Sequence, residues 1–326
     1  MKKPLSRRSR KGFTLIELMV AMGIALIIMG MLIGITNVAM GTWQRSRAEV
    51  RASRQAKTML DAMAKDLESM VIRSGNKFEW MYAAVETTMP GTAQDRSTNA
   101  AQFIFFSAAT DRYKGGAGTA TDLGGDVCAV SYKLAYQDPL MGTSTSPSDS
   151  TFVFYRQLMD PRPTFDTMLG KLDLRTAFAG TPGNNRFETQ ANAGTNVVND
   201  SRYSFVCENV YQYSITFRVD VTTTVGTTTT VKPVRVSLGN SSSARSLRIF
   251  GDRLDTDGVV SGGGMAATNA ELRTGRVTGV EVSITVLSDA GLAQLKTRTF
   301  ADANAKAKFL AQNTFEFSKS VDVPGL

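Results

Sequence analysis

A run of 27 residues without a charged side chain, from Leu18 to Gln44, constrains this chain more than any other feature of its sequence. As an α-helix, such a run is about 40 Å long, which is enough to cross the hydrocarbon core of a bilayer. Six basic residues and no acidic residue precede it within residues 1–12. Because basic residues favour the cytoplasmic side, we predict a cytoplasmic N-terminus and an outward-facing remainder.

Basic residues lie on both sides of this apolar run. Of the 37 Lys and Arg residues, six lie in residues 1–12, and the remaining 31 nearly balance the 29 acidic residues. The formal net charge of +8 therefore implies no nucleic-acid contact. A second basic stretch follows the run and includes a single acid, Glu49; its basic residues are Arg45, Arg47, Arg51, Arg54 and Lys57. Positive charge on this side runs against the rule that predicts the orientation.

The composition excludes much of enzyme chemistry. The chain has no histidine, which rules out Ser-His-Asp triads, Cys-His pairs and zinc sites of the His-Glu-x-x-His type. It also lacks the phosphate-binding pattern G-x-x-x-x-G-K-[ST], and no local motif nominates a pair of carboxylates for glycoside hydrolysis. We therefore predict that the chain is not an enzyme.

Glu17 is the residue that an ordinary membrane anchor does not explain. A carboxylate at the edge of an apolar run is costly unless it meets a positive partner. If the chain were cut after Gly12, the new amine of Phe13 would lie four residues from Glu17, about one helical turn away. The amine of the same chain or of a neighbouring copy could then neutralise the carboxylate.

Residues 12–17 read Gly-Phe-Thr-Leu-Ile-Glu, after a basic leader and before an apolar helix. This pattern resembles the prepilin cleavage and N-methylation motif of type IV pilins and type II secretion pseudopilins. The resemblance implies that prepilin peptidase cuts after Gly12, that Phe13 becomes the methylated N-terminus, and that Glu17 pairs across subunits during filament assembly. Two alternatives are a plain signal anchor and a twin-arginine signal suggested by Arg7 and Arg8, although no small-residue cleavage site follows.

Four glycines form a line along the apolar helix. Gly23, Gly30, Gly34 and Gly41 are spaced by seven, four and seven residues, which keeps them within about 40° of one line. Gly30 and Gly34 also have the G-x-x-x-G spacing that allows helices to approach closely in lipid. The line predicts packing against other helices; the alternative is that glycine is simply common in such segments.

The predicted organisation has four parts. A basic leader at residues 1–12 precedes the transmembrane and assembly half of a helix at 13–44 and its amphipathic half at 45–75. Apolar residues recur at three- and four-residue intervals in the amphipathic half, which is predicted to end near Arg73. The remainder, 76–326, is predicted to be a β-rich globular head.

Strands in the head are predicted from alternating apolar residues, which indicate antiparallel sheet with one buried face. This alternation occurs in residues 128–136, 211–221 and 280–286; further strand candidates are 102–107 and 151–159, and a polar hairpin is predicted around Gly226. A last helix is predicted at Ala301–Gln312. Loops are predicted near 87–100, 114–126, 138–150, 179–202 and 258–276. The fold class is therefore α+β and, by resemblance, pilin-like: a long N-terminal helix packed on an antiparallel sheet.

Two further sites are left with two interpretations each. Cys128 and Cys207 both fall on the apolar side of predicted strands, and they form either a disulfide or two buried thiols. Asp252, Asp255 and Asp257 could offer oxygens to Ca²⁺, but their spacing departs from an EF-hand and a solvated turn is favoured. No other cofactor is expected.

Within the resembled class, residues 152–159 and 208–219 are similar to strands of the large minor subunits, such as the J-type pseudopilin and the W-type minor pilins. A similarly sized group, the Verru_Chthon cassette pilin-like proteins, is also similar. The resemblance implies prepilin peptidase, other pilin or pseudopilin subunits and an inner-membrane assembly platform as partners. It also implies a single-pass inner-membrane location, with the head in the periplasm until filament assembly. The alternative is a membrane-anchored periplasmic binding protein that does not polymerise, for which Glu17 would not be needed.

Overall fold

The structure is a computed structural model that describes residues 14–108, 127–139, 149–159, 161, 164–180, 203–225, 228–239, 244–257, 260–262 and 265–323. The predicted leader at residues 1–12, which ends with Gly12, lies outside the described residues, and so does Phe13. The loop predicted at 114–126 also lies outside them. Two compact units are present, Met1–Val50 and Arg51–Leu326, and the second contains all the sheets.

Helix α1 spans Leu15–Glu68, so one uninterrupted helix covers both predicted halves. It ends five residues before the predicted position. The Ser69 hydroxyl donates to the carbonyl of Lys65 at 2.9 Å, and Met70 pairs with Ser107 in an isolated β-bridge. The helix therefore ends where the chain begins to pair with a sheet. The prediction that it ends near Arg73 was wrong.

The remaining elements belong to the head. The later helices are short: α2 (Leu174–Gly180), α3 (Asn269–Arg273), α4 (Asp289–Thr297) and α5 (Ala303–Asn313), with a π-helical turn at Thr164–Met168. The strands are β1 (Glu79–Val85), β2 (Ala101–Ala108), β3 (Val127–Gln137), β4 (Thr151–Met159), β5 (Tyr203–Glu208), β6 (Val210–Val225), β7 (Thr228–Leu238), β8 (Ser246–Phe250), β9 (Leu254–Thr256), β10 (Val260–Gly262), β11 (Met265–Ala267), β12 (Arg276–Leu287) and β13 (Thr314–Asp322).

These strands form two main antiparallel sheets. A seven-stranded sheet has the order β5-β4-β3-β2-β1-β8-β9, and a four-stranded sheet has the order β13-β12-β6-β7. Strands β10 and β11 pair as a small separate hairpin. Asn209, with a φ of 61°, joins β5 of the larger sheet directly to β6 of the smaller one. The α+β fold class, with a long N-terminal helix packed on antiparallel sheets, is confirmed.

The main core lies between the two sheets and the second part of α1. Met59, Met63 and Leu67 of α1 are buried in it. Aromatic rings bridge the sheets: Phe154 and Tyr213 have ring centroids 4.8 Å apart in an edge-on arrangement. Such pairs add specific geometry to the burial of their apolar surface, so they fix how the sheets face each other.

The outer face of the seven-stranded sheet is covered by a second cluster. Trp80 and Phe106 pack edge to face there, under Met168 and Phe178 from the π-helical turn and α2. As a result β2, β3 and β4 are buried on both faces. The prediction of one buried face was wrong for β3, whereas β12 of the four-stranded sheet shows the predicted alternation.

Other boundaries also differ from the predictions. The last helix begins at Ala303, because the Asp302 side chain accepts from the Ala305 backbone N–H and caps it. The region 258–276, predicted as a loop, includes β10, β11 and α3. Neither α4 nor β13 was predicted. The loop at 87–100 is confirmed, and 140–148 and 181–202 lie outside the described residues.

Candidate functional site

The first turn of α1 is closed by its own side chains. The Glu17 carboxylate accepts hydrogen bonds from the backbone N–H of Thr14 at 2.9 Å and from its hydroxyl at 3.0 Å. In return the Thr14 hydroxyl accepts from the backbone N–H of Glu17 at 3.3 Å. This is the reciprocal capping box that satisfies donors left unpaired at a helix start. Glu17 therefore helps to begin the helix, in addition to any role towards other chains.

The first part of α1 presents apolar side chains on all sides. Every large apolar side chain from Leu15 to Trp43 is at least 52% exposed. Burying such a side chain is worth about 1.5–3 kcal/mol, so a surface of this extent is stable only in contact with lipid or other protein. Among the described residues, α1 is the helix that is long and apolar enough to cross a bilayer, and this single helix anchors the chain in a membrane.

Two hydroxyl groups within the apolar part are satisfied by the helix itself. The hydroxyls of Thr36 and Thr42 donate to the carbonyls four residues earlier, at 2.8 and 2.9 Å. Such internal bonds suit a hydrocarbon environment, in which an unpaired polar group is costly.

The line of glycines has open space around it. A Cβ atom built at Gly23, Gly30, Gly34 or Gly41 meets no other described atom within 4 Å. The rest of the described chain therefore does not require glycine at these positions. Their packing against other helices stays a prediction, and the open space is where such a helix would approach.

A buried ion pair fixes the second part of α1 to the seven-stranded sheet. Arg156 of β4 donates to both carboxylate oxygens of Asp66, at 2.6 and 2.8 Å. Tyr132 of β3 donates its hydroxyl to the same carboxylate, and Arg156 Nε lies 3.1 Å from that hydroxyl. Burial and the neighbouring negative charge of Asp66 raise the pKa of Tyr132 well above its usual value. Separating the members of such a buried pair would leave an uncompensated buried charge, which is strongly destabilising. The pair therefore favours the one position of α1 on the sheet at which Asp66 meets Arg156.

The sequence analysis did not identify this buried pair. Asp66 falls three residues after Met63, on the buried side of the amphipathic helix. A charge on an apolar stripe is the signal that could have flagged it, because buried charges need a partner. Its partner Arg156 is 90 residues away, and only the folded sheet brings the two together.

A second buried carboxylate holds α2 in place. Glu79, fully buried at the start of β1, accepts from Arg248 of β8 at 2.5 and 2.9 Å. The backbone N–H of Leu174, the first residue of α2, donates to the same carboxylate at 2.6 Å. The hydrogen bonds of Arg248 to Glu79 outweigh the cost of burial and raise the pKa of Arg248.

A third cluster surrounds the link between the two sheets. Arg51 of α1 forms ion pairs with Glu208 at 2.7 Å and with Asp289 of α4 at 2.6 Å. Asn209 donates to Asp289 at 2.7 Å and its side-chain oxygen accepts from Thr151. The cluster ties α1 to β5 and to α4 where the chain passes from one sheet to the other.

The two cysteines are both buried, and neither is part of a disulfide. Cys207 lies opposite Phe154 on β4, which lies opposite Leu134 on β3, six residues from Cys128. The two cysteines are therefore roughly 20 Å apart along the strands and two strands apart across the sheet. A disulfide needs Cα atoms within about 7 Å, so the disulfide interpretation was wrong and that of buried thiols fits.

Each of the three aspartates considered for Ca²⁺ accepts a hydrogen bond from another group of the chain. Asp252 and Asp255 each accept from Arg253, at 2.9 and 3.2 Å, and Asp257 accepts from the backbone N–H of Ser246 at 2.5 Å. Within the part of the chain that the structure describes, no group of three or more Cys, Asp or Glu side chains is arranged to hold a metal. These contacts describe the turn between β8 and β9, and Ca²⁺ binding there stays a prediction.

Comparison with protein families gives one match, to the prokaryotic N-terminal methylation motif over residues 7–33. No curated protein and no solved structure matches the chain. The match contains Gly12, Phe13 and Glu17, together with the first part of the apolar run. This motif, followed by a long apolar helix whose second part packs on antiparallel sheets, supports a type IV pilin-like protein and is consistent with a pilin-like fold.

Proposed function

We propose that the chain is a minor pilin or pseudopilin, assembled in or at the tip of a type IV pilus or type II secretion pseudopilus. The observation that carries the proposal is the methylation motif at residues 7–33. Prepilin peptidase cleaves after Gly12 and methylates Phe13, and the mature chain is stored in the inner membrane with its head in the periplasm. The assembly platform and other pilin-like subunits then take it into the filament.

The all-round apolar surface of α1 supports this proposal. Apolar side chains on every side of a helix can be buried in lipid during storage and against neighbouring helices during assembly. Both bonds from Thr14 end on Oε2 of Glu17, so Oε1 retains capacity for an amine donor. In the proposed filament, that donor is the N-terminal amine of a neighbouring subunit.

The size of the head supports a minor rather than a major subunit. The second compact unit spans Arg51–Leu326, and a head of this size is difficult to repeat closely along a thin filament. The buried ion pairs of the head are explained by its architecture, and we propose no catalytic role for it.

Processing is tested by the intact mass of the membrane-extracted protein from its native host. The expected product begins at Phe13 and has one added methyl group. A chain that still begins at Met1 in cells with an active prepilin peptidase contradicts the proposal.

Assembly is tested by replacing Glu17 with Gln. Glutamine serves equally at this position of a capping box, so the helix start and membrane insertion should persist. Crosslinking to other pilin-like subunits, measured at equal expression, should fall because the neighbouring amine loses its charged partner. Glu49→Gln removes one carboxylate from the same helix outside the apolar run and should leave crosslinking unchanged.

Undiminished crosslinking and full function in Glu17→Gln would instead favour a membrane-anchored periplasmic binding protein that does not polymerise. In such a protein no neighbouring amine neutralises Glu17, and an unpaired carboxylate in hydrocarbon costs on the order of 2.5–3.5 kcal/mol on insertion scales. The remaining benefit of Glu17 would then be its capping of the helix start.

A further inference from the structure

The basic stretch after the apolar run has no role in the proposed function. Arg45 and Arg47 are exposed, and they follow directly on the end of the apolar run. Arg51 differs from them, because Glu208 and Asp289 use its charge within the head. By the orientation rule, cations on this side of a membrane are unfavourable unless something there binds them.

Trp43 marks where the helix leaves the hydrocarbon. Its ring is 54% exposed, and the guanidinium of Arg47 lies over it, 4.7 Å from the ring centroid. Tryptophan is enriched at the level of lipid headgroups, where an amphipathic ring meets both environments. The stacked guanidinium is therefore at phosphate level, and its planar donors match phosphate oxygens.

The cations are distributed around the helix. At about 100° per residue, Arg47 lies within about 40° of Trp43, whereas Arg45 lies on the opposite side. A protein partner that docks on one helix face would meet only one of them. A layer of headgroups surrounds a membrane helix completely, and so meets both.

We propose that Trp43, Arg45 and Arg47 bind the phosphates of anionic phospholipids in the leaflet that faces the head. Glu49 lies four residues after Arg45 on the same side and reduces the positive charge there, so the side with Trp43 and Arg47 makes the larger contribution. The proposal requires only that α1 anchors the chain in a membrane. It holds whether or not the chain assembles into a filament.

The test uses the full-length chain in phosphatidylcholine vesicles containing an equal small fraction of pyrene-labelled phosphatidylglycerol or pyrene-labelled phosphatidylcholine. The chain has two tryptophans, so Trp80→Phe leaves Trp43 as the only donor of energy to pyrene. The anionic lipid should be enriched about two- to fivefold around Trp43 at physiological salt, with the enrichment falling as more NaCl is added. Counting retained lipids by native mass spectrometry on the chain with Trp80 intact should show the same preference.

Matched variants separate local binding from net charge. Arg45→Gln with Arg47→Gln should abolish the preference, and Glu49→Gln should increase it. Arg54→Gln with Lys57→Gln removes the same charge beginning about 10 Å beyond Arg47 along α1, further than the screening length of ~8 Å at physiological salt, and should keep the preference. Equal quenching by the two pyrene lipids in the parent chain, or equal loss in both double variants, overturns the proposal.

Discussion

The two parts of helix α1 meet opposite conditions. From Leu15 to Trp43 its large apolar side chains are exposed on every side, whereas beyond Arg51 a single stripe is buried against the sheets of the head. An apolar surface all round a helix needs an environment that its own chain does not supply, and a stripe needs only one covering face. The pattern of apolar residues therefore shows which part of the helix buries its apolar surface against its own chain and which part needs lipid or another protein to do so.

The largest expected effect comes from Asp66, in the second part of the helix. Asp66→Ala leaves Arg156 buried without its carboxylate, and should lower the free energy of unfolding of the head by about 3–5 kcal/mol. Denaturant unfolding of the full chain in detergent, followed by near-UV circular dichroism, measures it. Asp61→Ala removes an exposed carboxylate of the same helix, which pairs with Lys319 of β13, and should have little effect. Equal losses in the two variants would contradict a special role for burial.

A methionine pair makes the comparison without charges. Met63 is buried in the core and Met29 is exposed. Met63→Ala should cost about 2–5 kcal/mol of head stability through lost transfer energy and a cavity. Met29→Ala should leave head unfolding unchanged, as followed in the same denaturant titration. A measurable loss in Met29→Ala would show that the two parts are not independent in stability.

The thiol of Cys207 reports on how well the core beside α1 is closed. Burial, and then the charge of Glu208, raise the pKa of Cys207 to about 12 from its ordinary value near 9. Because the folded pKa is higher, this group's contribution to stability is complete below pH 9 and is lost as pH rises towards 12. Alkylation at pH 8 should be slow for Cys207 and fast for an exposed Ser46→Cys in the first part of α1. In the unfolded, unreduced protein, both native cysteines should be labelled. The absence of free thiols there would instead indicate a disulfide between Cys128 and Cys207.

The smallest effect on head stability is expected along the glycine line. Gly34→Ile has open space in the chain itself, so head unfolding should not change. Crosslinking to other pilin-like subunits should fall, because the larger side chain prevents close helix approach. Ala39→Ile lies about 140° away around the helix and is the matched control. Similar crosslinking in the two variants would show that the glycines do not mediate helix packing and are simply common in such segments.

Sequence reasoning succeeded where a local pattern is sufficient. Alternation located β6 and β12, since one face of the four-stranded sheet is exposed and its residues alternate. It failed for β3, where Ala129 and Ser131 are buried although they fall on the side predicted to be exposed. The cover from the π-helical turn and α2 comes from a distant part of the chain, and no local pattern contains that information.

The candidate site divides in the same way. Glu17 and its neighbours were found from the sequence because their chemistry lies within six consecutive residues. The contacts of Asp66 and Arg51 were not found, because each depends on partners more than 60 residues away. Helix length was overestimated for a related reason: the β-bridge from Met70 to Ser107 competes with continued helix.

The order of strands in the larger sheet has a consequence for export. Strand β1 pairs with β2 on one side and with β8 on the other, although β8 begins only at Ser246. The smaller sheet is completed by β13, whose Lys319 also reaches Asp61 of α1. Contacts between such distant segments form only once both are available. In the proposed orientation, we therefore expect the head to cross the membrane unfolded behind its anchored helix, and to fold in one cooperative step after β13 has emerged.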